Sequence, residues 1–132
     1  MEKMTVMLVD DEERFLVTTS KLLTRKGYEV VAAASGAEAL RHLREVTIHV
    51  VVLDVKMPGM DGIVALREIK KISPEVEVIL LTGHATVESA VEGLNAGASD
   101  YLVKPCNLDE LIRKINDSFE KRRRHKGGSN SL

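Results

Sequence analysis

Val50-Val51-Val52-Leu53-Asp54 decides the fold. Four consecutive apolar residues, three of them β-branched, make a strand with no polar face. A strand that is apolar on both sides belongs in the middle of a parallel sheet covered by helices above and below. The run then stops on a carboxylate, Asp54, and that acid must sit where the covered sheet opens.

Outward from this strand, short apolar runs alternate with helical patterns. Thr5-Val6-Met7-Leu8-Val9, Glu29-Val30-Val31-Ala32-Ala33, Val76 to Leu81 and Tyr101-Leu102-Val103 read as the other strands. Phe15, Leu16, Leu22 and Leu23 mark an amphipathic helix after the first of them. That helix ends in Arg25-Lys26-Gly27, with cations in its last turn and a glycine just beyond. Ser35-Gly36-Ala37-Glu38 is a capping-box pattern opening a second helix. Ile63, Leu66 and Ile69 stripe a third, after the turn-rich loop Met57-Pro58-Gly59-Met60-Asp61-Gly62. Val87, Ala90, Val91 and Leu94 stripe a fourth, ending at Gly97. Asn107, with Glu110 three residues on, caps a last helix carrying Leu108, Leu111, Ile112, Ile115 and Phe119. Strand–helix alternation of this kind calls for right-handed crossovers and a three-layer α/β sandwich.

The chain has 132 residues, 44% hydrophobic and 30% charged, with 19 Lys+Arg against 20 Asp+Glu. That suits one globular domain and excludes a disordered chain. Cys106 is the only cysteine, which excludes a disulfide scaffold and fits a reducing cytoplasm. No apolar run approaches the ~20 residues of a membrane span, and no secretory leader pattern is present. Aromatic residues are 3%, too few for base stacking on single-stranded nucleic acid. Five of the 19 cations fall within 121–126, so residues 1–120 carry 14 against all 20 acids, a net of −6. The expected division is a domain over 1–120, then 121–132 as a basic helix end running into a flexible linker or tail.

In open parallel sheets ligands bind beyond the carboxyl ends of the strands. There the first strand delivers Asp10, Asp11 and Glu12, the third Asp54, the fourth Thr82, and the fifth Lys104 followed by Pro105. The second delivers only Ala34 and Ser35. A flavodoxin-like strand order, 2-1-3-4-5, would put the second strand at an edge and gather every reactive end. Two unit charges ~4 Å apart repel by roughly 4 kcal/mol at an effective dielectric near 20, so clustered carboxylates ask for a cation. Hard oxygen donors without Cys or His point to Mg²⁺. Lys104 and Thr82 could then bind phosphoryl oxygens, with Asp54 as the nucleophile that becomes an aspartyl phosphate. Acids at 10–13 could instead simply favour a helix N-terminus, and Tyr101 could be ordinary edge-strand packing. The histidines His42, His49, His84 and His125 lack metal-ligand spacing, and a Gly-rich Walker loop is missing.

Asp10-Asp11, Val50–Asp54 with the Met57–Gly62 loop, Leu81-Thr82-Gly83, and Gly97 through Pro105 together resemble the receiver domain of bacterial two-component response regulators over about residues 4–120. The resemblance implies that Asp54 accepts phosphate from the phosphohistidine of a sensor histidine kinase or phosphotransfer protein. It implies Mg²⁺ held by Asp11, Asp54 and the backbone carbonyl of Lys56, with Asp10 acting through water. It implies a Thr82/Tyr101 switch pair, a cis peptide at Lys104–Pro105, and tuning of the phosphate's lifetime by Lys56 and His84. The surface of helix 4, strand 5 and helix 5 would change its partner or pair with a second copy. Nucleic acid would be met only through an output domain; the stretch Thr82–Ala98 looks most like receivers fused to AAA+ transcription activators. Such a domain is no enzyme beyond its own phosphorylation and dephosphorylation. The alternative is an aspartate-nucleophile phosphatase of haloacid-dehalogenase type, which needs an acid two residues after the nucleophile and finds Lys56. A flavodoxin-type flavin carrier needs a Gly/Ser/Thr-rich loop where Asp10–Glu13 stand.

Overall fold

The computed structural model describes residues 4–57, 60–83 and 87–130, with side chains at all of these except 56, 57, 60, 61, 87–90 and 125–130. Five parallel strands, β1 (Thr5–Val9), β2 (Glu29–Ala33), β3 (Val50–Asp54), β4 (Glu77–Thr82) and β5 (Asp100–Val103), form a sheet in the order 2-1-3-4-5. Five helices connect and follow them: α1 (Glu13–Arg25), α2 (Gly36–Glu45), α3 (Gly62–Ile72), α4 (Val87–Asn95) and α5 (Leu108–Asn130).

All five residues of β3 are buried, as its unbroken apolar run requires. Successive side chains on each strand point to opposite faces, so the sheet feeds two cores. Val6, Leu8, Val50, Val52, Ile79 and Leu81 face α1 and α5, packing on Leu16, Leu23, Leu111 and Ile115. Met7, Val9, Val51, Leu53, Val78 and Leu80 face the other way, onto Ala39 of α2 and Ile63, Leu66 and Ile69 of α3. α4 joins this second face at Gly93, where an added Cβ would overlap the end of the Leu80 side chain. Fully burying one such aliphatic side chain is worth roughly 1.5–3 kcal/mol, so both layers anchor the sheet strongly.

Local signals hold the helix ends. Ser35 Oγ accepts the Glu38 amide at 3.1 Å, and Asn107 Oδ1 accepts the Glu110 amide at 2.7 Å. Gly27, at φ +99°, takes the left-handed turn that ends α1. Two expectations need correction. The loop after β3 is no plain turn, because Lys56–Met57 pairs antiparallel with Met60–Asp61 as two-residue strands. The helix at the far end does not stop near Lys126; it runs to Asn130 through residues expected to be linker. Each added residue of a nucleated helix gains a hydrogen bond, and the Lys/Arg run preceding the glycines is made of good helix formers.

Candidate functional site

The parallel order sets every carboxyl strand end along one rim of the sheet. Asp10 continues the β1 ladder, its amide donating to the Ala33 carbonyl at 3.1 Å, and its side chain is only 1% exposed. A carboxylate so deeply buried needs partners. Its Oδ1 accepts the Glu12 amide at 2.9 Å, and its Oδ2 accepts Lys104 Nζ at 2.8 Å. Asp11, next along, is exposed. Asp54 closes β3 at 6% exposure and Thr82 closes β4 at 7%. The Thr82 carbonyl accepts the Lys104 amide at 2.7 Å, which fixes where the fifth strand turns away. The Lys104–Pro105 peptide is cis.

Asp10, Asp11 and Asp54 each offer a carboxylate oxygen, and these oxygens lie within 4.8 Å of one another. Lys104 reaches into the cluster from the fifth strand. Its Nζ lies 2.8 Å from Asp10, 3.5 Å from Glu12 and 4.0 Å from Asp54, and 5.1 Å from the centre of the Phe15 ring. Burial pulls the ammonium toward losing its proton. The hydrogen bond and charge of Asp10, then the charges of Asp54 and Glu12, outweigh that, and its pKa lies above the ordinary lysine value.

The donor set fits a hard divalent cation. It is three carboxylates with no soft ligand, crowded closely enough that one ammonium leaves a net negative site. Behind it, the Val55 amide donates to the Leu81 carbonyl and the Gly62 amide to the Val55 carbonyl, both at 3.0 Å, which tie the loop after β3 to the neighbouring strand. Gly62 is required there, since a Cβ would stand 2.5 Å from the Val55 Cα.

The structure therefore brings together Asp10, Asp11, Asp54 and Lys104, with Thr82 buried at the adjacent strand end. Lys56 lies two residues past Asp54, its backbone paired with Asp61. Tyr101 stands on β5 at 37% exposure, opposite Leu80 in register. His84 lies outside the described residues. The sequence places Glu12 with Asp10 and Asp11 at the end of the first strand, without a role of its own, and Phe15 only on the apolar stripe of the first helix; both face Lys104. The acid run beside the strand end was the available signal for Glu12; nothing in the spacing marked Phe15.

The sequence profile of the response regulator receiver domain matches residues 6–116. The chain belongs to that family. It is a receiver of the two-component class, a phosphoacceptor signalling switch. Transcriptional regulatory protein ZraR of Salmonella typhimurium is 42% identical over 109 residues, which is 83% of this chain and 25% of ZraR. The chain spans about a quarter of the length of the curated relatives it matches. A CheY-like receiver domain protein from Methanospirillum hungatei superimposes with a TM-score of 0.90 at 32% identity, over 94% of this chain and 99% of that one. NtrX from Brucella abortus gives a TM-score of 0.92 at 29% identity, over 99% of this receiver and 30% of NtrX. The haloacid-dehalogenase alternative finds no support in these matches, and Lys56 stands where that chemistry needs an acid. Among the described residues no helix is long and apolar enough to cross a membrane.

Proposed function

We propose that this receiver takes a phosphoryl group onto Asp54 from the phosphohistidine of a sensor kinase or phosphotransfer protein. One observation carries the reading: three carboxylates and the Lys104 ammonium converge where β1, β3 and β5 end. An Asp54 carboxylate oxygen attacks phosphorus as the P–N bond breaks, and the bond's electron pair leaves on the imidazole nitrogen, which takes up a proton. Lys104 moves from the carboxylates to a phosphoryl oxygen, and the Thr82 hydroxyl donates to another. Positioning and charge neutralisation are most of what this transfer asks of a protein. Asp11, Asp54 and the Lys56 carbonyl would hold Mg²⁺, with Asp10 behind through water; when bound, the ion supplies positive charge to the phosphoryl oxygens.

The new phosphate adds charge and three acceptor oxygens at a buried strand end. Thr82 turning toward it makes room for Tyr101, and the balance between two packings shifts by the difference in their interactions with the phosphate. Val91 and Leu94 of α4 and Tyr101 and Val103 of β5 are between 37% and 49% exposed, an apolar surface suited to a partner protein or a second copy. The relatives are transcriptional regulators about four times as long, so the output is transcription control by an attached domain, which alone would touch nucleic acid. The protein works in the cytoplasm and turns over no substrate besides its own phosphate.

The test is incubation with acetyl phosphate and Mg²⁺, followed by intact-mass measurement. One phosphoryl group per chain is expected, and none with Asp54→Asn. Full modification of that variant overturns the assignment.

A further inference from the structure

Resting on that reading of Asp54, we propose that Glu12 and Phe15, at the start of α1, are positioning residues acting in opposite directions on Lys104. Glu12 holds the ammonium away from Asp54; Phe15 supports it over the site.

Lysine is a compact charge on a flexible stem, so its resting place follows from competing contacts. At 2.8 Å from Asp10 and 3.5 Å from Glu12, against 4.0 Å from Asp54, the Lys104 ammonium sits on the α1 side of the cluster. Glu12 is the N-cap residue of α1 and makes no side-chain cap hydrogen bond, so its carboxylate is not tied to the first-turn amides. Its backbone amide is pinned by Asp10 at 2.9 Å, and its carboxylate, 67% exposed, turns to Lys104. A phosphoryl oxygen must compete with that carboxylate for the ammonium.

Phe15, one turn on, is half-buried against the core between the sheet and α5, with its ring centre 5.1 Å from Lys104 Nζ. A ring face attracts a cation without carrying charge and without occupying the acceptor position a phosphoryl oxygen needs. It therefore keeps the ammonium at the site in both states.

The two variants should move in opposite directions. Glu12→Gln should raise beryllofluoride affinity in Mg²⁺, and the second-order rate with acetyl phosphate, by about threefold, the scale of a partly exposed ion pair. That gain should shrink at high salt. Phe15→Leu, which preserves an apolar side chain, should lower both by about threefold, and Phe15→Tyr should restore them. Glu13→Gln removes an equal charge one residue on and should change neither. In Mg²⁺-free protein the Lys104 Nζ resonance should shift in Glu12→Gln and Phe15→Leu but stay in place in Glu13→Gln. In a Lys104→Met background both effects should vanish. An equal gain from Glu13→Gln, persistence of either effect without Lys104, or changes of the same sign overturns the proposal. These outcomes sink the positioning roles alone, whereas phosphoryl uptake by Asp54→Asn sinks the acceptor assignment.

Discussion

Two lysines at opposite ends of the sheet show how differently its rims are built. At the carboxyl end, Lys104 faces Asp10, Glu12 and Asp54, and their charges lift its pKa despite burial. At the amino end, Lys70 Nζ donates to the Pro74 and Val76 carbonyls at 2.9 and 2.8 Å, closing the turn after α3. There burial dominates and pulls the pKa down, with Glu77 opposing it and Lys121 adding to it. The amino end is also stitched by hydrogen bonds between residues far apart in sequence. The Thr5 amide donates to His49 Nδ1, the His49 amide to the Thr5 carbonyl and the Glu77 amide to the His49 carbonyl, while Ser99 bonds Glu77. One end spends its polar groups on closing the fold. The other holds like charges together, which leaves it ready for a cation and an anion that the protein does not itself supply.

Removing Lys104 should expose that contrast most sharply. Lys104→Met should slow phosphorylation by acetyl phosphate about 100-fold, the scale of losing one well-placed donor to developing charge. It also strands the buried Asp10 carboxylate, and denaturant unfolding without Mg²⁺ should show a loss of about 2 kcal/mol. Mg²⁺ should recover more of that stability in the variant than in the wild type. Next, Gly62→Ala forces a Cβ against the Val55 backbone, so stability should fall by about 2 kcal/mol. Because Val55 follows Asp54, phosphorylation should fall with it.

A matching lesion at the amino end should leave the chemistry alone. His49→Leu takes the acceptor from the Thr5 amide and the edge-on ring from Phe119, 5.6 Å away. It should cost about 2 kcal/mol while phosphorylation per folded chain is unchanged.

The smallest effect is a difference in pH dependence. A lysine whose native pKa is raised stabilises the fold at all pH values below the unfolded value of 10.5, and loses that contribution as pH climbs through the native value. One whose native pKa is depressed does the reverse: its penalty lies below the native value and lifts as pH rises toward 10.5. Urea titrations from pH 9 to 11 should therefore show the wild type losing ground to Lys104→Met only above 10.5, and gaining on Lys70→Met before it.

The layered sheet was legible because β3 is apolar on both faces and every reactive strand end carries an unmistakable side chain. Asp10, Asp54, Thr82 and Lys104 could thus be placed on one rim from alternation alone. What stayed hidden turns on ångströms rather than periodicity. No spacing says that Lys104 rests nearer Asp10 and Glu12 than Asp54, or that Phe15 lies beside it. The short pairing of Lys56–Met57 with Met60–Asp61 was masked by turn-forming residues, and the length of α5 by its glycines.

That length matters mechanically. Beyond Phe119, the last residue of α5 in the core, eleven residues of helix reach about 16 Å at 1.5 Å per residue. Near its base, Arg122 meets Glu75 at 3.7 Å, a loose fulcrum against the turn before β4. A rod of that reach turns a tilt of ten degrees at the core into roughly 3 Å of travel at its tip. A modest repacking around β5 could therefore be delivered as a displacement large enough to make or break a contact.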